Sequence, residues 1–490
     1  LCGALARSYA EGARGAGCET TLIDVSILAF DPDVRSANPG RQALEPDLAA
    51  ARAALDAAQH LVFVYPTWWG VYPARLKGFI DRLFTAGWAF ADIEGGARYD
   101  GLLKGKTAEL ITTMDTPDVV YRRIYGAPGH RALARATLGF CGIEVTRVTR
   151  FGIVRDADAQ TRFGWLTQAR ALGARLAHGP RGAWARAKAA VAPWLAALRL
   201  QFYPMTFLAY WVGALMAARA AGLDLAAFWL GYAVLFALEA ATVFANDVYD
   251  FDSDRRNRLW SLFTGGSRVL VTGALSPRAL LRGVRTAFGA AVALGLALIA
   301  TSAQPLTIAV FLSLFAVLAL GYTVPPLKLS HRALGEGDVA LTHSFGALLF
   351  GFAAQGGALS LAAPWLVALP LFFAVLPAII LSGAPDHDAD LAAGKRTLAV
   401  RFGVAGAARI AAVSAVVAAA LAFALPLVFD APELAGLAFV GALHAIWLVA
   451  RIRRDLAGAT GARRIDGLMA VALSYIVWFG LIPLVNLLRG

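Results

Sequence analysis

Charge is what this sequence has least of. Only 16% of its 490 residues are charged and 58% are hydrophobic, against about 25% and about 45–50% in ordinary globular chains. Disorder and a purely soluble protein are both poor readings of such a composition. Cysteine is nearly absent: Cys2, Cys18 and Cys141 stand in no CxxC spacing. That excludes a disulfide framework and a cysteine-based zinc site, and it fits a reduced cytosolic setting. The net charge of +12 is not gathered into one patch. Residues 1–192 carry 24 Lys/Arg and 18 Asp/Glu, and the remaining 298 carry only 21 and 15. Each part is +6, so no single basic face points to a nucleic-acid partner.

The first part alternates helical and strand patterns. Helix is expected to Ala16, strand over Glu19–Val25, helix near Leu48–Ala58, strand His60–Tyr65 and helix Pro73–Phe84. Strand Thr107–Thr113, a helix around His130–Phe140, strand Glu144–Val148 and helix Ala159–Ala177 follow. Such alternation predicts an α/β domain with a parallel sheet. The chain opens without Met and already inside an amphipathic helix, so the strand that should open the domain is expected to lie upstream of residue 1. Residues 179–199 form a basic stretch with two tryptophans, expected as an interfacial helix leading into a membrane.

Beyond residue 200 long apolar stretches take over. Nine are expected to cross the bilayer: about 200–218, 224–246, 283–303, 304–323, 339–359, 364–385, 404–428, 431–450 and 466–488. Each approaches or exceeds the roughly 20 residues a spanning helix needs. The loops after the second, fourth, sixth and eighth stretches carry the basic residues, among them Arg255, Arg268, Lys328, Lys395 and Arg453, whereas the opposite loops hold little beyond Arg219. By the positive-inside rule the basic loops and the α/β domain face the cytoplasm, in a multi-pass protein of the inner membrane.

The few acids of this second part are concentrated. Seven of its 15 fall in two windows, Asp247, Asp250, Asp252 and Asp254, then Asp386, Asp388 and Asp390. Each window closes an apolar stretch on the cytoplasmic side. Asp247, Asp250 and Asp254 lie at i, i+3 and i+7, and Asp386 and Asp390 at i and i+4, which places each set on one helix face. Like charges stacked this way repel unless a cation sits among them, and Mg²⁺ prefers such oxygen ligands. Arg268, Lys328, Lys395 and Arg396 lie between or beside the windows. Together they describe a site for a diphosphate on an apolar tail. A transporter would instead place ionisable groups at mid-membrane in broken helices.

Residues 200–490 resemble the UbiA superfamily of membrane prenyltransferases. Asn246, Asp247, Asp250 and Asp254 match its NDxxDxxxD motif, and Asp386 and Asp390 its DxxxD motif. The Tyr322–Lys328 loop and the Gly394–Gly403 run, GKRTLAVRFG, are also similar. The resemblance implies a helical bundle around a cavity that binds Mg²⁺ and an isoprenyl diphosphate, with the five aspartates as metal ligands and catalytic groups. Asn246, Arg268, Tyr322, Lys328, Lys395 and Arg396 would bind substrate. The prenyl group would pass to an acceptor, usually aromatic. Glu239 lies seven residues before Asn246, two turns deeper, where an ionisable group is costly. It is expected either to serve the acceptor, orienting its hydroxyl or taking its proton, or to make a structural interhelical bond. His343 and His444, each alone in an apolar stretch, are expected to be satisfied core histidines.

In the first part, strand His60–Tyr65 runs into Pro66, Thr67, Trp68, Trp69 and Gly70 and then a helix start. This puts aromatic rings at the carboxyl edge of a parallel sheet, where open α/β folds bind ligands. The longer string, with Pro73-Ala74 and Leu76-Lys77-Gly78-Phe79-Ile80-Asp81-Arg82, resembles the flavodoxin-like NAD(P)H quinone reductases over residues 1–178. The resemblance implies FMN or FAD held by Pro66, Thr67, Trp68, Trp69, Gly70 and Thr113, and reduction of a quinone by NAD(P)H. The family's phosphate-binding strand and loop would precede residue 1.

A hydroquinone is a good nucleophile and a quinone a poor one. A reductase tethered on the same chain would supply a reduced, quinol-type acceptor, or reduce the product, at raised effective concentration. The alternative makes the flavodoxin-like part a redox-sensing module without obligatory turnover.

Overall fold

The computed structural model describes residues 1–37, 39–92, 99–180 and 183–489. It divides into two compact units, Leu1–Ala189 and Ala190–Gly490.

The first unit is built on three parallel strands in the order β1 (His60–Pro66), β4 (Thr107–Thr113), β5 (Glu144–Phe151). His60 to Pro66 pair in register with Thr107 to Thr113. All seven β4 residues are buried, as a central parallel strand covered on both faces requires. Helices Cys2–Gly15 and Ala159–Ala174 cover one face, where Leu5, Tyr9 and Ala13 meet Ile111, Phe151 and Leu172. Helices Pro46–Ala57 and Ala74–Leu83 cover the other, around Leu48, Phe79, Leu83, Leu110 and Leu133. A short antiparallel pair, β2 (Phe90–Asp92) and β3 (Tyr99–Gly101), had no clear signal in the sequence.

One expected strand is not formed. Residues 19–25 make no ladder with β1 or any other strand among the described residues. Apolar alternation stabilises a strand only when a neighbour takes its N–H and C=O groups, and among the described residues no strand lies beside this stretch. Arg75 Nε donates to Val25 O at 2.8 Å, and Ser26 N and Oγ donate to Asp24 Oδ1 at 3.0 and 2.6 Å. Within the stretch expected as an interfacial helix, 179–199, the structure has a helix over Ala183–Leu198 with Pro193 inside it, and residues 181 and 182 lie outside the described residues.

The second unit is a helical bundle. Among the described residues six helices are long and apolar enough to cross a membrane: Leu225–Tyr249, Pro277–Thr301, Gly335–Ala354, Ala363–Ala392, Leu398–Val428 and Asp466–Arg489. Helices Tyr203–Ala221, Pro305–Gly321 and Leu437–Leu456 occupy the other three expected stretches. Pro305–Gly321 is 17 residues long, and Leu437–Leu456 carries Arg451, Arg453 and Arg454 near its end. Starts are fixed locally: Asp224 Oδ1 accepts from Ala226 N and Ala227 N, and Ser276 and Thr397 cap their helices likewise. Gly403, at φ 71° and ψ 162°, breaks the Leu398–Val428 run at the point where the apolar stretch was expected to begin. Outward faces stay apolar, with Leu306, Val310, Leu314 and Val317 exposed along one helix and Val413, Val416, Phe423 and Leu427 along another. Such faces suit a lipid solvent, and the unit is a multi-pass membrane domain.

Candidate active sites

A cavity of about 310 Å³ opens inside the bundle. Its wall is apolar at Met205, Leu235, Leu238, Phe315, Val375, Met469 and Ile476. At its mouth the two aspartate windows meet. The first helix of the pair ends at Tyr249, Asp250 sits at the joint with φ −97° and ψ 7°, and helix Phe251–Arg256 continues. Spacings of four, three and four residues therefore turn Asn246, Asp250, Ser253 and Asn257 to one side. Ser253 Oγ donates to Asp390 Oδ1, and Asn257 Nδ2 donates to Asp386 Oδ1. Lys395 completes the contact, its Nζ 3.0 Å from Asp250 Oδ2 and 3.2 Å from Asp390 Oδ1. Burial pulls the Lys395 ammonium down, but Asp250 and Asp390 outweigh it and hold its pKa above the ordinary lysine value.

Asp254 also lines this mouth. Burial pushes its carboxyl up to about 6, with Asp250 and Asp247 adding to the rise and Arg199 and Lys395 opposing it. The backbone of Gly266 lies so close that a Cβ there would stand 2.0 Å from Asp254 Oδ2, and its φ of +73° is one that side chains disfavour. Asp247 turns to other partners: Ser267 N at 3.2 Å, Ser267 Oγ, and the Arg199 guanidinium. It is not among the cavity-lining residues. Asn246 Nδ2 donates to Asp250 Oδ2 at 2.7 Å.

The remaining expected ligands divide. Tyr322 lines the cavity, where its phenol can donate a hydrogen bond. Arg268, Lys328 and Arg396 do not line the cavity. Arg268 donates to Asp254 O and its guanidinium lies 5.4 Å from the Trp260 ring centroid. Lys328 sits at a left-handed turn with φ 46°, and Arg396 is exposed, its N–H donating to His331 O at 3.1 Å. Glu239 lines the cavity, with His343 Nε2 3.7 Å from its Oε1.

Seven carboxylates line this one cavity, Glu239, Asp250, Asp254, Glu336, Asp338, Asp386 and Asp390, against two strong cations, Arg199 and Lys395. Buried carboxylates in such excess are protonated or meet a cation. Asp250 Oδ1 is buried without a hydrogen-bond partner. This donor set fits a hard divalent ion. Among the described residues no three carboxylate, His or Cys groups are already gathered tightly enough to hold a metal.

Several site residues escaped the sequence reading. Arg199 was read as part of the basic linker, yet its backbone takes φ 52° and its side chain enters the mouth to pair with Asp247. Glu336 and Asp338, in the sequence GEGD, also line the cavity. Glu336 Oε1 accepts from Leu398 N at 2.8 Å, so it anchors the helix that follows the second window. His343, expected to be a satisfied core histidine, has its Nδ1 2.9 Å from Val339 O and also lines the cavity. A π-helical turn, Thr342–Gly346, changes the facing that a 3.6-residue period assigns. His444 does fit that expectation: its Nε2 lies 3.0 Å from Val471 O, and its Nδ1 accepts from Trp478 Nε1 at 3.0 Å.

In the first unit, Pro66 ends β1 beside Thr113, and Thr67 N donates to Thr113 O at 2.7 Å. Trp68 to Val71 form a tight turn, with Trp68 N donating to Val71 O at 2.8 Å and the reverse bond at 3.0 Å. Its two central residues, Trp69 (φ 51°) and Gly70 (φ 78°), are both left-handed, as the primed turns require. Gly129 N and Tyr121 Oη pin the turn by donating to Gly70 O at 3.0 and 2.8 Å. The result is a fixed platform whose aromatic faces stay open, Trp68 being 60% exposed and Trp69 fully so. Bare indoles at the carboxyl edge of a parallel sheet fit a planar cofactor ring.

A helical bundle whose apolar cavity is closed by two facing carboxylate windows, on a chain that also carries an open α/β sheet, defines a two-part membrane enzyme. Residues 205–485 match the model of the UbiA prenyltransferase family, and residues 1–170 that of the flavodoxin-like fold. The chain belongs to the UbiA prenyltransferase family and carries an N-terminal flavodoxin-like domain. It is a prenyltransferase with a second, oxidoreductase part.

The flavodoxin-like part is similar to the ribosyldihydronicotinamide dehydrogenase (quinone) of Mus musculus, 31% identical over 168 residues, or 29% of this chain and 71% of the relative. It is 27% identical over 153 residues to an uncharacterized NAD(P)H oxidoreductase of Haemophilus influenzae, covering 30% of this chain and 73% of that one. Among solved structures, a UbiA homolog from Archaeoglobus fulgidus bound to DMAPP and Mg²⁺ aligns at 18% identity and TM-score 0.45, over 59% of this chain and 98% of that one.

Proposed function

We propose that the bundle transfers a prenyl group from an isoprenyl diphosphate to an aromatic, quinol-type acceptor, and that the flavodoxin-like part reduces quinones with NAD(P)H. The observation that carries the first half is the meeting of the two windows, through Ser253 with Asp390, Asn257 with Asp386 and Lys395 with both, over one apolar cavity. The diphosphate head would rest at that mouth and the isoprenyl tail along Leu235, Leu238, Phe315 and Met469. Asp250, Asp254, Asp386 and Asp390 would hold Mg²⁺, with Asp247 orienting the loop behind them through Ser267. When bound, Mg²⁺ offsets the charge of the leaving diphosphate. Lys395 and Arg199 add fixed positive charge there, Tyr322 offers a phenolic donor, and the apolar wall keeps water from the allylic carbon.

The reductase half rests on the Trp68–Trp69 platform beside Thr67 and Thr113, which would hold the ring of FMN or FAD. A bound flavin relays a two-electron reduction from NAD(P)H to a quinone. The hydroquinone so made is the electron-rich ring that prenyl transfer needs. We read the chain as residues 1–178, a linker over 179–199, and nine spans over 200–490, with the basic loops and the N-terminal part on the cytoplasmic side of an inner membrane. The partners are lipid and small molecules, not nucleic acid.

The test uses the full chain in lipid nanodiscs with geranyl diphosphate and a panel of quinones, hydroquinones and hydroxybenzoates. Prenylated product should form with Mg²⁺, vanish with chelator, and be lost in Asp386→Ala. Quinones should become acceptors only when NADPH and flavin are added. Equal rates with and without them would end the coupling, and no product from any acceptor would end the transferase reading.

A further inference from the structure

Two turns below the carboxylate mouth, about 10 Å along the helix, the cavity holds a second polar centre that the diphosphate end does not use. Glu239 reaches it from helix Leu225–Tyr249 and His343 from the π-helical turn Thr342–Gly346. We propose that Glu239 and His343 act together as the proton acceptor for the aromatic substrate, taking the ring proton that prenylation releases. The inference rests on the prenyl-transfer reading and adds its second half.

The geometry fixes where the proton is missing. His343 Nδ1 lies 2.9 Å from Val339 O and 3.1 Å from Thr342 Oγ1. A carbonyl oxygen only accepts, so Nδ1 carries a ring hydrogen, and in the neutral ring Nε2 is the nitrogen that presents a lone pair. Thr342 Oγ1 donates to Asp338 O at 2.8 Å, which leaves its own lone pair for Nδ1. Nε2 then faces Glu239 Oε1 across 3.7 Å, longer than a hydrogen bond between them would be. With the ring neutral, two acceptors face each other with space for a proton.

The surroundings supply a seat for a hydroxylated ring. Asp338 Oδ1 and Thr206 Oγ1 line the same cavity, and both are buried without a hydrogen-bond partner. A phenolic hydroxyl would donate to Asp338 or exchange a bond with Thr206. Tyr203 and Tyr232 lie near enough to Glu239, and Asp338 near enough to His343, to interact electrostatically. Tyr203 Oη is also buried and unpartnered.

The step balances. The C–O bond of the prenyl diphosphate breaks, its electron pair leaving on the diphosphate. A π pair of the ring forms the new C–C bond to the allylic carbon. The hydrogen on that ring carbon passes as a proton to the Glu239–His343 pair, and its bonding electrons restore the aromatic ring. The substrate class is therefore an arene with a C–H beside a hydroxyl.

The experiment compares wild type, Glu239→Gln, His343→Gln and the double variant as full chains in nanodiscs. The donor is geranyl diphosphate, and the acceptors are hydroquinones and hydroxybenzoates with ring hydrogen or ring deuterium. The expected result is a KM for geranyl diphosphate within about twofold of wild type and a kcat about 100-fold lower. A ring-deuterium effect of about twofold or more should emerge in the variants and exceed that of wild type. The double variant should be no slower than the worse single one, because the residues act as a unit. Undiminished kcat, or a loss of kcat with no isotope effect, overturns the pair. If the glutamine variants do not fold, Glu239→Asp keeps the carboxylate and lengthens the gap, and an isotope effect equal to wild type overturns it. Wild type without product from any acceptor defeats the transferase reading and this inference with it, whereas wild-type turnover with unaffected variants defeats this inference alone.

Discussion

Lys395 Nζ lies 3.0 Å from Asp250 Oδ2, and so ties the loop after the second aspartate window to the helix joint inside the first. The same ammonium reaches Asp390, and all three side chains are less than one-tenth exposed. One lysine thus holds together two acidic windows that would otherwise repel. Lys395→Met keeps the apolar stem and removes the charge. Breaking a buried pair costs about 3–5 kcal/mol, because the abandoned carboxylates stay buried. In the absence of divalent ions the variant should melt well below wild type. Magnesium should raise its melting temperature more than it raises that of wild type, since a cation refills the gap. An unchanged melting temperature without magnesium would show that the lysine carries no such load.

Gly266 allows the loop after the first window to lie against Asp254. A methyl group there meets Asp254 Oδ2 at 2.0 Å and sits on a backbone with φ +73°. Gly266→Ala should therefore displace the Asp254 carboxylate or the loop, at about 1–3 kcal/mol of strain. The expected result is a magnesium half-saturation for prenyl transfer raised about tenfold or more, with NAD(P)H oxidation unaffected. A magnesium titration equal to wild type would mean that the loop yields without moving the carboxylate.

The legible parts of this protein were those that local spacing decides. The aspartates of both windows, the strand–Trp-Trp–helix string and β4 could be placed because helix and strand periods set which residues share a face. Ser253 and Asn257 were legible by the same rule, since they continue the Asn246–Asp250 face. Being uncharged, they are not marked by the acidic pattern. Other features depend on what the chain meets in space. Glu19–Val25 alternates like a strand but lacks a neighbour to pair with. Arg199 enters the mouth through one left-handed residue at the end of a helix. His343 faces the cavity from a π-helical turn, which no 3.6-residue count foretells.

Trp69 is fully exposed on a turn whose shape comes from backbone bonds to Val71, Gly129 and Tyr121 rather than from its ring. Trp69→Ala should thus leave stability within about 0.5 kcal/mol of wild type. If the indole is the seat of a flavin ring, the same change should weaken flavin binding about tenfold or more, since stacking on one aromatic is worth roughly 1–3 kcal/mol. Quenching of flavin fluorescence on titration with the full chain gives the affinity, and thermal melting gives the control. Unaltered quenching would move the flavin away from this turn.

His130 offers a pH dependence confined to the first unit. It is 4% exposed, its Nδ1 accepts from Arg150 Nε at 3.2 Å, and its Nε2 is buried without a partner. Burial, then the neighbouring Arg150 charge, lowers its pKa to about 4, with Asp118 opposing. Its unfolded value is 6.5, so between those limits the unfolded chain binds more protons than the folded one. Stability from this group is full above pH 6.5 and is lost as pH falls toward 4, by an amount on the order of 2–3 kcal/mol. His60, lowered to about 4 by burial, acts in the same direction. His130→Phe removes one of the two contributions and should flatten the fall in stability between pH 6.5 and 4 by about half. The measurement is the urea midpoint for labelling of the buried Cys141 thiol with a disulfide reagent active at acid pH, in full chains with Cys2 and Cys18 replaced by serine. A midpoint that falls as steeply in the variant as in wild type would mean that His130 is already protonated in the folded protein, and the Arg150 contact would then have to be repulsive.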